Sequence, residues 1–385
     1  MSMTEGQPFL PIAKPKLDEE EIEAVRAVLC SGWLTQGPKV KAFETAFAER
    51  HQVQYAFATT SCTTALHLAL IAAGVGAGDE VIVPAFTWVA TANAVVQCGA
   101  IPVFVDIERD TYNIDPNAVA AAVTARTAAL IAVHLFGLTA DMDALRAALP
   151  PHVMLIEDAA CAAGAAYRNR PAGSLGDLGC FSLHPRKSIT SGEGGVVTTN
   201  DPDFAASVDI HRNHGASVSE EVRHRGSRPH ELPDFEVFGF NYRMTDIQAA
   251  IAEVQLGKLD RFIAHRRELA ALYDGGLASL DWITPPARPD GYDHALQAYV
   301  VMLDRLSAPI ARDDLLDELQ RQGIAGRPGT HSVVGLGAYR RRFETDPLDY
   351  PVSSEVEAES MALPLHNHMG EGDVMRVLNA LERLT

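Results

Sequence analysis

The sequence predicts an α/β protein, in which a large domain with a mainly parallel β-sheet is followed by a smaller α+β domain. From residue 18 to residue 200, short apolar runs alternate with helical patterns of roughly ten residues, which is typical of a parallel sheet with helices on both faces. The chain has 385 residues, more than one minimal core requires, so two domains are expected.

The elements of the large domain follow from the spacing of apolar residues. Apolar residues three and four positions apart predict helices, and short uninterrupted apolar runs predict buried strands. The predicted helices are residues 18–29, 40–50, 63–73, 87–97, 116–122 and 141–148. The predicted strands are residues 55–58, 80–83, 102–105, 129–134 and 153–156.

The pattern changes after residue 200. Residues 211–236 contain few apolar side chains and several Gly, Pro and Ser residues, which predicts a long loop. A helix is predicted over residues 245–277, and shorter apolar runs follow it as far as Leu363. We therefore expect a large domain over residues 1–260, including the loop, and a small domain over residues 261–385.

Composition and charge exclude several classes of protein. With 47% hydrophobic and 21% charged residues, the chain is typical of soluble globular proteins. No run approaches about 18 apolar residues, and the amino terminus lacks the pattern of a signal peptide. The net charge of −18 disfavours binding to nucleic acid or to anionic membranes. The five cysteines show no CxxC spacing, so neither a zinc site nor a disulfide framework is predicted, and a cytoplasmic location is expected.

Chemically useful residues follow several predicted strands. Asp158 comes directly after strand 153–156, and Trp88 comes shortly after strand 80–83. A hydroxyl-rich turn that begins at Ser61 opens a helix, and Lys187 lies in the segment CFSLHPRKSITSGEGG, one strand pair after Asp158. Because ligands of such sheets bind at the carboxyl ends of the strands, we expect these four features to meet.

Together these features suit pyridoxal 5′-phosphate (PLP). Lys187 supplies an amine for a Schiff base with the cofactor aldehyde, and Asp158 supplies a carboxylate that keeps the pyridine nitrogen protonated. The helix start at Ser61 suits a phosphate, and Trp88 offers a flat face to the ring. A nucleotide P-loop is excluded because Lys187 precedes the glycines, and no GxGxxG dinucleotide motif follows the first strand.

Motifs along nearly the whole chain resemble those of one family. They include SGWLTQGPKVKAFE, GAGDEVIVPAFTWVATANAV, IEDAA, GSLGDLGCFSLHPRKSITSGEGG and FNYRMTDIQAA. In order and density, these motifs resemble the DegT/DnrJ/EryC1/StrS family of PLP-dependent sugar aminotransferases. The resemblance implies the aspartate aminotransferase-like PLP fold, known as fold type I.

By position, the resemblance implies the same roles for Lys187, Asp158 and Trp88. It adds phosphate contacts from three further residues: Cys62, Thr63 and Ser182. In relatives, the asparagine at the position of Asn241 reaches the phosphate bound by a neighbouring subunit. The resemblance therefore implies a homodimer with two shared active sites.

Two positions depart from the family pattern. Relatives often have glycine where this chain has Cys62, so a side chain must fit where a bare backbone is usual. Where this chain has Cys161, relatives often have Gln or His in contact with the phenolic oxygen of the cofactor. Cysteine is a weak hydrogen-bond partner. Cys161 is therefore either a residue that alters the cofactor or the substrate preference, or simply a small buried residue.

The resemblance implies a transamination. L-Glutamate is the expected amino donor, a nucleotide-linked keto-sugar is the expected acceptor, and the product is an amino sugar for a polysaccharide or a glycoside. An aminotransferase for a keto-cyclitol or an aminobenzoate-type ketone would keep the same cofactor residues and is an alternative. A PLP-dependent sugar dehydratase is disfavoured, because the known members replace the lysine with histidine. A non-catalytic relative would be expected to lose Lys187 or Asp158.

Candidate substrate contacts lie in further segments. Between residues 211 and 230 the chain has only two acids but four arginines. The arginines are Arg212, Arg223, Arg225 and Arg228. We expect this loop either to contact the diphosphate of a nucleotide-linked sugar, across a dimer interface, or to be an ordinary solvated loop. The segment GRPGTHS offers Arg327 and His331 as acceptor contacts, or is explained by turn formation alone. Trp33 and His184 complete the set of candidate substrate residues.

Overall fold

The computed structural model describes residues 8–217 and 232–384 of the chain. The helices in these ranges are α1 (Glu19–Ser31), α2 (Pro38–His51), α3 (Cys62–Ala72), α4 (Ala90–Gln97), α5 (Pro116–Ala122), α6 (Met142–Ala148), α7 (Pro202–Arg212), α8 (Asp246–Leu277), α9 (Arg312–Arg321), α10 (Gly337–Phe343), α11 (Pro351–Glu359) and α12 (Glu371–Glu382). The strands are β1 (Tyr55–Thr59), β2 (Glu80–Pro84), β3 (Phe86–Thr87), β4 (Ile101–Val105), β5 (Thr127–Val133), β6 (Met154–Asp158), β7 (Ala166–Tyr167), β8 (Arg170–Pro171), β9 (Leu178–Ser182), β10 (Gly195–Thr199), β11 (Ile283–Thr284), β12 (Tyr292–Asp293), β13 (Tyr299–Leu303), β14 (Arg327–Pro328), β15 (His331–Ser332) and β16 (Ser360–Leu363).

A seven-stranded sheet forms the centre of the large domain, with the strand order β1-β10-β9-β6-β5-β2-β4. β10 runs antiparallel to both of its neighbours, whereas the other neighbouring strands pair in parallel. The carboxyl ends of β6 and β9 therefore lie at the same edge of the sheet. This mostly parallel arrangement confirms the predicted α/β class.

Helices cover both faces of this sheet, because successive side chains of a strand point to opposite sides. Val81 and Val83 of β2 pack in one apolar cluster with residues of α3 and α4. Ile82, which lies between them, packs in another cluster with residues of α5 and α6. Burial on both faces explains the continuous apolar runs that predicted these strands.

A second core forms around a four-stranded antiparallel sheet with the order β11-β13-β16-β14. The carboxyl-terminal half of α8 packs here with α9 and α12, and Leu10 joins them by pairing with Ile324. The amino-terminal half of α8 packs in the core of the large domain. The expected domain boundary after residue 260 therefore falls inside a helix that serves both cores, and the division itself stays a prediction.

Two local predictions differ from the structure. Residues 211 and 212, which were expected in the loop, are the last two residues of α7. The helix predicted over residues 87–97 begins only at Ala90, because Phe86 and Thr87 form β3. β3 pairs with β15, which lies far along the chain, and local periodicity cannot reveal a two-residue strand whose partner is so distant.

The helix α8 has 32 residues and starts with a capping box formed by Thr245 and Gln248. Lys258 on this helix is buried, and its Nζ atom lies 2.7 Å from carboxylate oxygens of both Asp18 and Glu21. These ion pairs attach α1 to α8. In the described part of the chain, no helix is both long enough and apolar enough to cross a membrane.

Asp246 connects the start of α8 to the start of α2. Its carboxylate accepts hydrogen bonds from the backbone N–H groups of Gly37 (2.8 Å), Lys39 (3.1 Å) and Val40 (3.1 Å). The residue before α2 is glycine, which has no side chain that can cap a helix. Asp246 therefore satisfies the free N–H groups of α2 from a distant part of the sequence.

We expect Asp246→Ala to lower the free energy of unfolding by about 3 kcal/mol, because three backbone N–H groups lose a charged acceptor. Urea denaturation followed by circular dichroism measures the change. Asp260→Ala is the matched control, since Asp260 is an exposed residue of the same helix that makes a surface ion pair with Arg50. The control should change stability by less than about 0.5 kcal/mol. Equal losses in the two variants would contradict the capping role.

Candidate active site

A cavity of about 250 Å³ opens at the carboxyl ends of β6 and β9, beside the first turn of α3. Its wall includes ten of the residues that the sequence singled out, namely Ser61, Cys62, Thr63, Trp88, Asp158, Cys161, Ser182, His184, Lys187 and Arg327. The first nine come from the large domain, and Arg327 comes from β14 of the small domain. The fold therefore assembles most of the predicted site around a single space.

The register of three strands positions one wall of the cavity. Ser182 of β9 pairs with Gly195 of β10, and Gly195 pairs with Thr59 of β1. A β-carbon on Gly195 would overlap the carbonyl group of Ser61 and the backbone nitrogen of Cys62. Glycine at this position thus allows α3 to begin directly against the sheet, beside Ser182.

The first turn of α3 directs backbone donors into the cavity. Ser61 caps the helix: its hydroxyl accepts the N–H of Thr64 (3.2 Å), and Oγ1 of Thr64 accepts the N–H of Ser61 (3.1 Å). The N–H groups of Cys62 and Thr63 have no acceptor within the helix, as is general for a first turn. These donors and the positive end of the helix dipole suit a phosphate group.

Asp158 ends β6 and is buried beneath the cavity. Its carboxylate accepts hydrogen bonds from Oγ1 of Thr91 (2.8 Å) and from the N–H of Ala160 (3.2 Å). Burial raises the pKa of Asp158 above its ordinary value, although these hydrogen bonds and the charge of Lys187 act in the opposite direction. A cationic group bound in the cavity would stabilise the charged form of this carboxylate.

The preceding residue, Glu157, supports the site from the other face of the sheet. Its carboxylate accepts the backbone N–H groups of Gly173, Leu175 and Gly176, each at 2.7 Å. It also lies 2.8 Å from Nε2 of His134, and Nδ1 of His134 accepts the N–H of Ala140. Because Nδ1 is an acceptor, Nε2 must carry the proton that bonds to Glu157. Glu157 thus fixes the segment that leads into β9.

The amine of Lys187 lies beside Cys161. Nζ of Lys187 donates a hydrogen bond to Sγ of Cys161 at 3.1 Å. The backbone N–H of Lys187 bonds to the carbonyl of His184 (2.8 Å), which closes the turn after β9. Cys161 is a wall residue in contact with the predicted covalent amine, and its influence on the cofactor stays a prediction.

Trp88 forms the rim of the cavity and is 53% exposed. Its ring centroid lies 5.7 Å from that of His331, with an angle of 39° between the planes. The pairing of His331 with Thr87 in the β3–β15 ladder holds the two rings together. His331, a predicted substrate residue, therefore stands at the rim rather than in the wall.

The structure corrects the expectation for Arg212. Its guanidinium is buried outside the cavity, where it forms ion pairs with Glu44 and Asp209 and donates a hydrogen bond to the carbonyl of Ala58. It also lies over the ring of Phe57, 4.9 Å from the centroid. These contacts use the guanidinium to fix α7 against β1 and α2, so none of it is left for a substrate.

Other predicted residues also lie away from the cavity. Nε1 of Trp33 donates to the carbonyl of Gln36 (3.2 Å) in the connection between α1 and α2. Asn241 is exposed and forms an isolated bridge with Asn213. The three loop arginines, Arg223, Arg225 and Arg228, lie outside the described residues.

Sequence reasoning missed three residues of the site. Arg186 lines the cavity and directly precedes Lys187, so its position was an available signal. Gln297 also lines the cavity, and its amide donates to the carbonyl of Arg186 (2.7 Å). Thr91 holds Asp158. Neither Gln297 nor Thr91 carried a local signal, because their contacts arise only in the folded chain.

The residues of the cavity fit PLP. They supply an amine, a buried carboxylate, a helix start with free N–H groups and an aromatic ring at the rim. A side chain at Gly195 would overlap the start of α3, so glycine at this position keeps the helix start beside Ser182. This donor set matches what the aldehyde, ring nitrogen and phosphate of the cofactor require.

Comparison with known proteins identifies a family and several solved structures that are similar to this chain. The model of the DegT/DnrJ/EryC1/StrS aminotransferase family matches residues 15–382. The PMP (pyridoxamine phosphate) form of Spr1654 from Streptococcus pneumoniae is 28% identical to this chain in sequence. Its TM-score is 0.91, over 98% of this chain and 99% of that chain. Its PLP form matches over 98% and 100%, with a TM-score of 0.90 and 28% identity.

Two further similar structures were each solved with an intermediate or a product of that protein's own reaction. DesV from S. venezuelae, in complex with a ketimine intermediate, is 34% identical, with a TM-score of 0.89 over 98% of each chain. DesI, in the presence of its TDP-sugar product, is 33% identical, with a TM-score of 0.87 over 99% of this chain and 94% of that chain.

We expect Gly195→Ala to weaken the affinity for PLP roughly tenfold, since a β-carbon must displace the first turn of α3 and at least one phosphate hydrogen bond. Titration of the apoprotein with PLP, followed by absorbance, measures the dissociation constant. Gly76→Ala is the control, because a β-carbon there meets no atom within 4 Å. An unchanged dissociation constant in Gly195→Ala would refute the importance of the close approach.

Asp158→Asn should raise the melting temperature of the apoprotein at pH 7 by a few degrees. The pKa of Asp158 is higher in the folded chain than in the unfolded chain, so ionisation opposes folding. The corresponding stability is present at low pH and is lost as the pH rises from the ordinary pKa of 3.8 through the raised value. The side chain of asparagine does not ionise, so the variant does not lose this stability as the pH rises.

Thermal denaturation of the apoprotein between pH 4 and pH 8 tests this expectation. The variant should show a smaller fall in melting temperature with rising pH, and a weaker affinity for PLP. The exposed residue Asp281 provides the control variant, Asp281→Asn, which should behave like the unchanged protein. A variant that is less stable than the unchanged protein at pH 7 would contradict the expectation.

Proposed function

Because the chain belongs to the DegT/DnrJ/EryC1/StrS aminotransferase family, we propose that it transfers an amino group from L-glutamate to a nucleotide-linked keto-sugar. The chain is a PLP-dependent transaminase of the sugar aminotransferase type. The donor and the nucleotide are the parts of this statement that go beyond the family. The product would be an amino sugar for a polysaccharide or a glycoside.

The observation that carries the acceptor assignment is the likeness to DesI, which was solved with its TDP-sugar product and matches over 99% of this chain. The rim of the cavity supports the same assignment. Trp88 is half exposed there and its ring contacts that of His331. A bulky acceptor would therefore meet an aromatic surface before it reaches Lys187. The small buried volume beneath suits the cofactor and the reacting end of a substrate.

The roles of the chain follow from the contacts described above. The N–H groups of Cys62 and Thr63, with the hydroxyl of Ser182, would hold the phosphate of PLP. Asp158 would hold the proton on the ring nitrogen, and Thr91 fixes the orientation of its carboxylate. Trp88 would cover the ring.

When bound, PLP supplies an aldehyde that takes up the amino group and a ring that accepts the electrons left by the departing Cα proton. Nζ of Lys187 removes the proton from the donor Cα and returns one when the acceptor is aminated. The hydrogen bond to Cys161 keeps this amine in the cavity, 3.1 Å from the thiol, rather than in solvent.

A homodimer with shared active sites forms part of the proposal. Asn241 is exposed and does not line the cavity of its own chain, which leaves it available to a second copy. Leu232, Phe235 and Phe238, which precede it, are exposed large apolar side chains. Such a cluster is typical of a surface that is buried in an assembly. The five cysteines are all free, as fits the proposed cytoplasmic location.

The purified protein loaded with PLP should convert to the amino form with L-glutamate, and the amino form should then be consumed by a nucleotide-linked keto-sugar. A panel of TDP-, UDP- and GDP-linked 3-keto and 4-keto sugars, followed by absorbance and mass spectrometry of the product, tests the acceptor. Lys187→Ala is the control and should lose at least 10³-fold in the rate of both half-reactions, since the proton carrier is absent. Amination of a free keto-cyclitol, with no reaction of any nucleotide-linked sugar, would overturn the proposal.

A further inference from the structure

Two buried threonines form a hydrogen-bonded chain that ends at Asp158. Thr91, in the first turn of α4, donates a hydrogen bond from Oγ1 to a carboxylate oxygen of Asp158 (2.8 Å). Oγ1 of Thr87, the last residue of β3, lies 3.1 Å from Oγ1 of Thr91. Thr87 is 1% exposed and Thr91 is 0% exposed. Both hydroxyls are therefore shielded from bulk water.

The direction of both hydrogen bonds follows from the number of protons. An ionised carboxylate can only accept hydrogen bonds, and a hydroxyl carries a single proton to donate. Thr91 gives its proton to Asp158, so Thr91 has to accept the proton of Thr87. Both hydroxyls thus point towards the carboxylate. Because hydrogen bonds in such a chain polarise one another, the bond from Thr87 strengthens the bond from Thr91.

The chain leaves the cavity side of the carboxylate available. Thr87 and Asp158 line the cavity, and Thr91 is buried behind the wall. Among the described residues, the carboxylate accepts two hydrogen bonds, from Thr91 and from the N–H of Ala160. A carboxylate has about four acceptor positions, so the others remain for a donor that enters the cavity.

The backbone holds both hydroxyls in place. β3 pairs with β15, and His331 lies opposite Thr87 in this ladder. The N–H of Thr91 bonds to the carbonyl of Trp88 (3.2 Å), which fixes the start of α4. Each hydroxyl therefore extends from backbone that is itself hydrogen-bonded, which favours one fixed arrangement of the chain.

We propose that Thr87 and Thr91 are positioning residues that act in series, and that their hydroxyls keep Asp158 ionised and directed at the ring nitrogen of PLP. The inference rests on the proposed function, since it takes Asp158 as the partner of the ring nitrogen. It goes further in giving Thr87, which reaches the carboxylate only through Thr91, a part in the chemistry of the cofactor.

The surroundings of Asp158 explain why such a chain is needed. Burial is the strongest effect on its pKa and raises it, and the hydrogen bond from Thr91 is the largest effect in the opposite direction. The other titratable groups near the carboxylate are Lys187, His134, Cys62 and Cys180. The charges of Lys187 and His134 also favour ionisation of Asp158. The two thiols stay neutral, because burial raises their own pKa values.

Titration of the apoprotein with PLP tests the role of each hydroxyl. Thr91→Val replaces the hydroxyl with a methyl group and should weaken PLP affinity roughly tenfold, the effect of one hydrogen bond to a charged group. Thr91→Ser keeps the hydroxyl and should bind PLP like the unchanged protein. Thr87→Val should weaken the affinity about threefold, because it removes a bond between neutral groups. An unchanged affinity in Thr91→Val would overturn the proposal.

Thr198→Val is the matched control. Thr198 is a buried threonine of β10, and its hydroxyl donates to the carbonyl of Gly173 (2.7 Å). The variant therefore loses one buried hydroxyl bond that does not lead to Asp158. Its affinity for PLP should equal that of the unchanged protein, and a loss as large as that of Thr91→Val would contradict the specific role of the chain.

The double variant distinguishes a chain from two independent contacts. If Thr87 acts only through Thr91, Thr87→Val together with Thr91→Val should weaken PLP affinity no more than Thr91→Val alone, roughly tenfold. If the two residues act separately, their effects multiply to about thirtyfold. A thirtyfold loss would overturn the arrangement in series.

The pH dependence of stability reports the charge of Asp158 without any cofactor. In the apoprotein, the stability linked to Asp158 is present at low pH and is lost as the pH rises from 3.8 through the raised pKa. Thr91→Val should raise this pKa further, so the fall in melting temperature between pH 4 and pH 8 should be larger and should extend to higher pH. A fall equal to that of the unchanged protein would contradict a role in ionisation.

NMR of bound PLP labelled with ¹⁵N in its ring measures the same effect at the cofactor. The ring nitrogen should lose its proton at a lower pH in Thr91→Val than in the unchanged protein, because its carboxylate partner is less ionised. Thr91→Ser should behave like the unchanged protein. A merely structural role of Thr91 would lower the melting temperature but leave the nitrogen signal unchanged, and that result would overturn the proposal.

None of these measurements involves a substrate, so they are separate from the test of the acceptor. If the variants behave as expected but no nucleotide-linked keto-sugar reacts, the acceptor assignment fails while the chain stands. If Thr91→Val binds PLP and titrates like the unchanged protein, and L-glutamate still converts the PLP form, the chain fails while the proposed transamination stands.

Discussion

The active site depends on the close contact between Gly195 and the first turn of α3. At this point β10 passes so near the backbone of Ser61 and Cys62 that only a hydrogen atom fits between them. The contact sets the distance between the helix start and Ser182, the two groups that we propose hold the phosphate of the cofactor. A side chain here would separate the helix from the sheet, and the start of α3 would no longer lie beside Ser182.

Two adjacent acids at the end of β6 divide support and chemistry between them. Alternation along the strand directs Glu157 to one face and Asp158 to the other. The carboxylate of Glu157 accepts hydrogen bonds from three backbone N–H groups and from His134, so the protein itself satisfies its hydrogen-bonding capacity. Asp158 has fewer partners and a raised pKa, so it retains an unmet demand for a cation. One short segment thus provides both an acid that is fully bonded within the protein and a buried acid that lines the cavity.

The sequence predicts the fold class and most of the cavity wall, since the apolar runs, helix starts and strand-end residues are local signals. Lys187, Asp158 and the turn at Ser61 belong to this group. Contacts that depend on distant segments were beyond its reach: the hydroxyl of Thr91 on Asp158, the amide of Gln297 on Arg186, and β3 with its partner β15. Arg212 shows the converse, because its charge suggested a ligand whereas burial assigned it to Glu44 and Asp209.

The ladder between β3 and β15 has a mechanical consequence. It bonds the backbone of the small-domain segment at His331 to that of Thr87, and the N–H of Val333 continues the connection to the carbonyl of Ala85 (2.7 Å). Any movement of the small domain that preserves these bonds leaves the rim of Trp88 and His331 in place relative to the large domain. The entrance to the cavity is therefore held by backbone hydrogen bonds between two distant parts of the chain.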